Sequence, residues 1–353
     1  MDYYRAAHEV NWFTNFGPLS LRLESALART FGVPGEVCVA AANATAGLSA
    51  ALLALGRKGT VLVPAFTFPA SVGAVYASGN EPLIIDIQEE NWAVDAAELD
   101  RILDVWPVAS VMLVAPFGLP VDFSEHVSVC RRHGVGVVID NAAGLGAARP
   151  ARKTEENVFE VFSLHATKPF GIGEGGAIFG HPSRSNALRS ALNFSLDAPA
   201  RPDLPPWGFN GKMSEFHAAI GLAQIERFPN RVCSRQAFAL AYFESLSDVP
   251  GIVLPKERSH AVWQIFPVLM PSAAAREHAI SVAAAEGLEV RRYYNPSLSR
   301  WPNLRTAGHC HIAENLANRM CALPVRSDAN DTEEIVRIAS NSIRSGVRAD
   351  KVF

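Results

Sequence analysis

The chain has 353 residues, 49% of them hydrophobic and 19% charged, with a formal net charge of -3. That is enough apolar material for a large core and, by length, for one large domain plus a smaller one. The balanced charge lacks the basic footprint of a nucleic-acid binder, and the start, MDYYRAAHEVNWFTN, lacks the basic-then-apolar order of a signal peptide.

The longest uncharged stretch, residues 37–55, is interrupted by Asn43, Thr45, Gly47 and Ser49. It therefore reads as a buried strand (37–40), a turn and a helix (44–55), not as a membrane span. Apolar strand candidates follow at 60–63, 83–86, 110–115, 135–139, 159–163 and 177–179. Helix-like segments at 69–77, 96–103 and 125–133 lie between most of them. Apolar strands separated by helices predict an α/β fold whose mostly parallel central sheet is covered on both faces. Pro116 and Pro120 argue against a spanning helix near residues 111–121, so a cytoplasmic protein with no membrane contact is expected.

An alanine-rich helical stretch covers about 213–246, with a break near Phe228-Pro229. A strand (262–269), a helix (273–286), another strand (289–292), a Pro-containing loop and two more helices come after it. The expected division is an N-terminal segment and large α/β domain over 1–230, then a small C-terminal α+β domain over 231–353. The five cysteines, Cys38, Cys130, Cys233, Cys310 and Cys321, include no C-x-x-C pair, and no disulfide framework is expected. His309-Cys310-His311 suggests a metal cluster at first sight. Adjacent residues rarely converge on one ion, so a loop or active-site rim, without metal, is expected there.

The most informative stretch is FSLHATKPFGIGEGGA, residues 162–177. A strand ends at Ser163, Lys168 follows in a short loop, and glycines at 171, 173, 175 and 176 lead into the next strand. Glycines at this density permit positive φ and close backbone approach at the edge of a ligand. A lysine placed there forms an imine with an aldehyde if burial or charge lowers its pKa. A plain Lys-Pro surface turn is the competing reading. Asp140 closes the apolar run 136–140, at the strand end where open α/β sheets bind ligands. It either caps the turn at Asn141 or serves a pyridoxal phosphate ring, whose nitrogen an acid keeps protonated. The turn Asn43-Ala44-Thr45-Ala46-Gly47, between strand and helix, suits a phosphate dianion held by backbone amides and the Thr45 hydroxyl. Ser163 is a further phosphate donor, and an aromatic of Pro64-Ala65-Phe66-Thr67-Phe68-Pro69 is placed to cover a ring face.

These residues together resemble the DegT/StrS group of sugar aminotransferases, members of the fold-type I pyridoxal phosphate enzymes. Besides the lysine stretch, the similar motifs are Phe16-Gly17-Pro18 with Glu24, Ala44-Thr45-Ala46-Gly47-Leu48, Val63-Pro64-Ala65-Phe66-Thr67-Phe68 and Asp86 at a strand end. Phe117-Gly118-Leu119-Pro120-Val121-Asp122, Gly208-Phe209-Asn210-Gly211-Lys212-Met213-Ser214 and Tyr293-Tyr294-Asn295-Pro296 follow in order, so the resemblance covers nearly the whole chain. It implies that Lys168 carries the cofactor as a Schiff base and shuttles protons, while Asp140 partners the ring nitrogen. Ala44, Thr45 and Ser163 would hold the phosphate and Phe68 would stack on the ring. Asn210 would reach the phosphate of a neighbouring subunit, which implies a homodimer with shared sites. The cofactor would alternate with pyridoxamine 5′-phosphate as L-glutamate gives its amino group to a keto group of a nucleotide-linked sugar. Asn15, Phe117, His165 and Tyr294 are the substrate-side candidates. The pattern departs from the family at Ala143 (commonly Gln or His), at Lys212 (often Arg) and at Asn43-Ala44-Thr45 (often Ser-Gly-Thr). A cyclitol ketone acceptor and a non-catalytic binding protein are the alternatives. A sugar dehydratase of the same family would carry His in place of Lys168.

Overall fold

A computed structural model describes residues 2–150, 153–256, 259–327 and 330–350. Its strands are β1 (Val37–Ala41), β2 (Thr60–Pro64), β3 (Glu81–Ile85), β4 (Val108–Val114), β5 (Gly136–Asp140), β6 (Val158–Ser163), β7 (Gly176–Gly180), β8 (Ile265–Leu269), β9 (Arg305–Thr306) and β10 (Met320–Pro324). The main sheet has the order β1-β7-β6-β5-β4-β2-β3-β9. β7 is antiparallel to both of its neighbours, and every other pairing in this sheet is parallel. All five residues of β5 are buried, as are all six of β6, which explains why these strands read as largely apolar runs, interrupted only by the buried Glu160 and closed by Asp140 and Ser163. The expected α/β architecture and mostly parallel sheet are what the chain forms.

Helices cover the sheet: α1 (Asp2–Glu9), α2 (Pro18–Phe31), α3 (Ala44–Ala54), α4 (Ala70–Ala77), α5 (Ala96–Val105), α6 (Ser124–Arg132) and α7 (Ser185–Leu192). The first two were not foreseen in the sequence. Leu19, Leu23 and Leu27 recur every fourth residue on α2 and are buried, with Pro18 in its first turn. The Glu215 carboxylate accepts from the amides of Leu19 (2.6 Å) and Ser20 (2.9 Å), capping this helix from 196 residues away. A Cβ on Gly17 would lie 2.7 Å from that carboxylate, which accounts for the Phe16-Gly17-Pro18 motif.

α8 (Glu215–Leu246) continues through Pro229, against the expected break. The ring removes one amide donor, but Phe228 fixes the turn by packing edge-on against Phe31 (5.5 Å) and Phe170 (5.0 Å). The expected division at residue 231 falls inside this helix. Beyond it, β8 and β10 pair antiparallel, with α9 (Ala273–Ala285), α10 (His311–Arg319) and α11 (Thr332–Asp350) around them. The strand expected at 262–269 begins only at Ile265, because Trp263 takes a left-handed φ of 51°. The strand expected at 289–292 is a single bridge between Arg291 and Ala322. Glu289 and Arg292 turn instead to surface ion pairs with Arg291 and Glu277. No helix among the described residues is long and apolar enough to cross a membrane.

Candidate active site

β1, β2, β4, β5 and β6 run in one direction, so their carboxyl ends and following loops meet at one edge of the sheet. A cavity of about 940 Å³ opens there, where ligands settle in open α/β folds. Asp140, the last residue of β5, lines its floor and is buried. Ser71 Oγ donates to Asp140 Oδ2 at 2.7 Å and the Ala142 amide donates to Oδ1 at 3.2 Å. Thr67 Oγ1, in the bend before α4, lies 2.9 Å from the same Ser71 hydroxyl. Burial pushes the Asp140 carboxyl above its ordinary range, opposed by Ser71, the Ala142 amide and the charge of Lys168.

Lys168 enters the cavity from the β6–β7 loop, and its Nζ donates to Gln264 Oε1 at 3.0 Å. Burial lowers its pKa, while Asp140 pulls the other way. A lysine held this way presents a larger share of free amine than a solvated one, as a nucleophile or proton carrier requires. The turn Asn43–Ala46 forms another wall. Asn43 Oδ1 accepts from the Ala46 amide (2.8 Å) and so caps α3, whose first turn contains no acidic residue. A helix N-terminus of this kind attracts anions, and Ser163, at the end of β6, lines the same wall. A Cβ on Gly176 would lie 2.5 Å from the Asn43 oxygen and 2.9 Å from the Ala44 nitrogen, so only glycine lets β7 lie against this turn. Phe68 stands at the rim, 55% exposed.

Opposite Asp140, Tyr294 stacks on Phe117 with ring centroids 5.5 Å apart and 8° between planes, and it also meets Phe66 at 5.1 Å. Phe117 adopts φ 59°, and Gly118 beside it (φ 74°) has no room for a Cβ, which would lie 2.4 Å from the Ala143 carbonyl carbon. Burial and the nearby Asp140 raise the Tyr294 phenol pKa, so it stays a neutral donor. His165 Nδ1 is 2.9 Å from Thr167 Oγ1, and its Nε2 is 3.7 Å from Glu174 Oε1.

Lys168, Asp140, Ala44, Thr45, Phe68, Ser163, Phe117, His165 and Tyr294 thus line one cavity. Asn15 and Asn210 do not line it. Both are exposed, and the Asn210 amide oxygen accepts from Lys212 Nζ at 2.8 Å. Several cavity residues were given no role by the sequence, among them Thr67, Gln264 and Arg291. Nor was Ser71, which braces Asp140 from behind. Nothing local to Ser71 or Gln264 marks either residue in the sequence. His309 and Cys310 lie in the loop before α10, one of the two placements expected for them; His309, stacked on His311 at 5.0 Å, lines a separate cavity of about 340 Å³ beside Asp86 and not the one that holds Lys168. Asp86 caps α10, accepting from the amides of Ile312 (3.0 Å) and Ala313 (2.9 Å). Among the described residues no group of His, Cys, Asp and Glu could hold a metal ion.

A buried acid, a lowered-pKa lysine, an anion-attracting helix end and a rim aromatic around one cavity fit pyridoxal phosphate. The model of the DegT/DnrJ/EryC1/StrS aminotransferase family matches residues 1–341. The chain belongs to this family. Its expected membership and cofactor therefore stand: it is a pyridoxal phosphate-dependent aminotransferase of fold type I. Among similar proteins, the Mycobacterium tuberculosis protein Rv3402c is 30% identical over 97% of this chain and 86% of its own length. The Escherichia coli dTDP-4-amino-4,6-dideoxy-D-glucose transaminase is 27% identical over 95% of this chain and 92% of its own. Among solved structures, DesI in the presence of its TDP-sugar product superposes with a TM-score of 0.88 at 30% identity, covering 99% of this chain and 91% of that one.

Proposed function

We propose that this aminotransferase moves an amino group from L-glutamate to a keto group of a nucleotide-linked deoxysugar, in amino-sugar biosynthesis. The observation that carries this reading is the cavity itself. Its 940 Å³ suits a substrate much larger than an amino acid, and it brings Lys168 and Asp140 together. The names of the Escherichia coli relative and of the DesI complex support a sugar nucleotide as acceptor.

The bound cofactor supplies an electron sink for the bond broken next to the substrate nitrogen. On this reading Asp140, braced by Ser71, partners the ring nitrogen and stabilises its positive charge. The Ala44 and Thr45 amides at the start of α3, with Ser163, hold the phosphate. Phe68 covers one ring face. Lys168 takes the proton from the donor carbon as a free amine and returns it from its ammonium form. Phe117, Tyr294 and His165 lie where a sugar would sit, and Tyr294 offers a phenol hydroxyl that stays protonated. Asn15 and Asn210, off their own cavity, are available to a second copy. Trp207 (81% exposed), Leu196 and Phe194 surround the Asn210 segment with apolar surface that a homodimer would cover.

The test is to incubate the loaded enzyme with glutamate and a panel of keto-sugar nucleotides and keto-cyclitols, with mass detection of aminated products. Amination of a sugar nucleotide supports the reading. Amination confined to the cyclitols, or no glutamate consumption with any acceptor, overturns it.

A further inference from the structure

Gln264 lies outside every motif that marks this family in the sequence, yet it holds the reactive amine. Its carboxamide oxygen is 3.0 Å from Lys168 Nζ. The ammonium form of lysine has only donors to offer, so toward it the amide presents its oxygen. The backbone behind this contact is unusual. Gln264 follows Trp263, which is buried, left-handed at φ 51°, and has an indole N–H with no partner. Such a turn persists only when its surroundings dictate it. Arg235 does so from α8. Its guanidinium donates to the carbonyls of Trp263 (2.8 Å), Gln264 (2.9 Å) and Val325 (2.9 Å), and to Ser327 Oγ (3.0 Å). Arg235 is buried, and the partners named are neutral oxygens, so it acts as a clamp on backbone and not as half of an ion pair.

We propose that Gln264 is a positioning residue that docks the free amine of Lys168 whenever substrate has displaced it from the cofactor, with Arg235 fixing the backbone that carries it. This rests on the reading of Lys168 as proton carrier. The Nζ lone pair of Lys168 would take the proton from the donor carbon, the bound cofactor would supply the sink for the electron pair left behind, and Gln264 would exchange no proton. It accepts one N–H throughout, which aims the lone pair and favours the ammonium form. The other titratable or charged groups around the cavity are Asp140, His165, Glu174, Arg291, Tyr293 and Tyr294. Of these, only Asp140 contributes to the Lys168 shift.

The experiment compares Gln264→Ala and Gln264→Glu with the parent in two measurements. The first is the pH dependence of acetic anhydride labelling of Lys168 in cofactor-free protein, read by mass spectrometry. The second is the single-turnover rate of the glutamate half-reaction. Labelling should show the Lys168 pKa falling in Gln264→Ala and rising by about one unit in Gln264→Glu. The half-reaction of Gln264→Ala should slow by about tenfold to a hundredfold with little change in glutamate affinity. Unchanged labelling in both variants overturns the proposal, as does a loss confined to affinity. If labelling shifts as stated while the parent half-reaction survives Lys168→Ala, the reading of Lys168 as proton carrier fails, and the proposal fails with it. Gln264→Glu keeps the side chain's size, so misfolding of the alanine variant would leave the labelling test intact.

Discussion

Asp140 and Lys168 are both held away from their ordinary ionisation by burial, each toward its neutral form. The carboxyl of Asp140 is raised by burial, so the native state keeps a proton that the unfolded chain has released. Its ionised form therefore costs stability as pH rises from the ordinary carboxylate range through the raised value, and costs nothing below that range. Asp140→Asn should leave the cofactor-free protein at least as stable as the parent at neutral pH in urea unfolding, with the difference closing on acidification. Its turnover should fall by at least about a hundredfold. Lys168 is lowered by burial, so between the lowered value and 10.5 the unfolded chain binds the extra proton. Stability of the cofactor-free protein then rises with pH through that window. The same shift sets activity: the acid limb of the glutamate half-reaction should lie below the ordinary lysine value, and a stopped-flow pH series reads it directly. An acid limb at or above 10.5 would contradict this.

At the scale of elements, the site exists because parallel strands end together and two loops approach each other closely. β7 and the α3 turn touch only because residue 176 is glycine. Gly176→Ala should weaken phosphate-ester cofactor binding by about tenfold or more, measured by fluorescence titration, while the fold survives by far-UV circular dichroism. Unchanged affinity would mean that the turn is not the phosphate cradle. The strands were legible in the sequence because each is apolar along nearly its whole length, Asp140 because it closes such a run, and Lys168 because it stands in the glycine-rich loop that follows one. What was not legible depends on distant partners. α8 continues through Pro229 because Phe31 and Phe170 grip Phe228. Residues 262–264 read as strand until Arg235 forces Trp263 out of the extended region. Ser71 and Gln264 carry no local signature, since their partners lie 69 and 96 residues away. α2 was missed although its leucines recur every fourth residue, because its cap, Glu215, comes from another helix.

For the whole molecule, one chain contributes every assigned group except Asn15 and Asn210, which look outward beside exposed aromatics. If Asn210 serves the partner's site, mixing Lys168→Ala subunits with Asn210→Ala subunits should rebuild one intact site per hybrid dimer. Activity should then exceed that of either variant alone, whereas a cis role for Asn210 gives no gain. The most direct test of the account is where the cofactor becomes attached. Borohydride reduction of the pyridoxal phosphate-loaded protein, followed by peptide mass mapping, should fix one cofactor per chain on Lys168, and prior addition of glutamate should prevent it. An adduct mapped to any other lysine, or no adduct at all, would contradict the account.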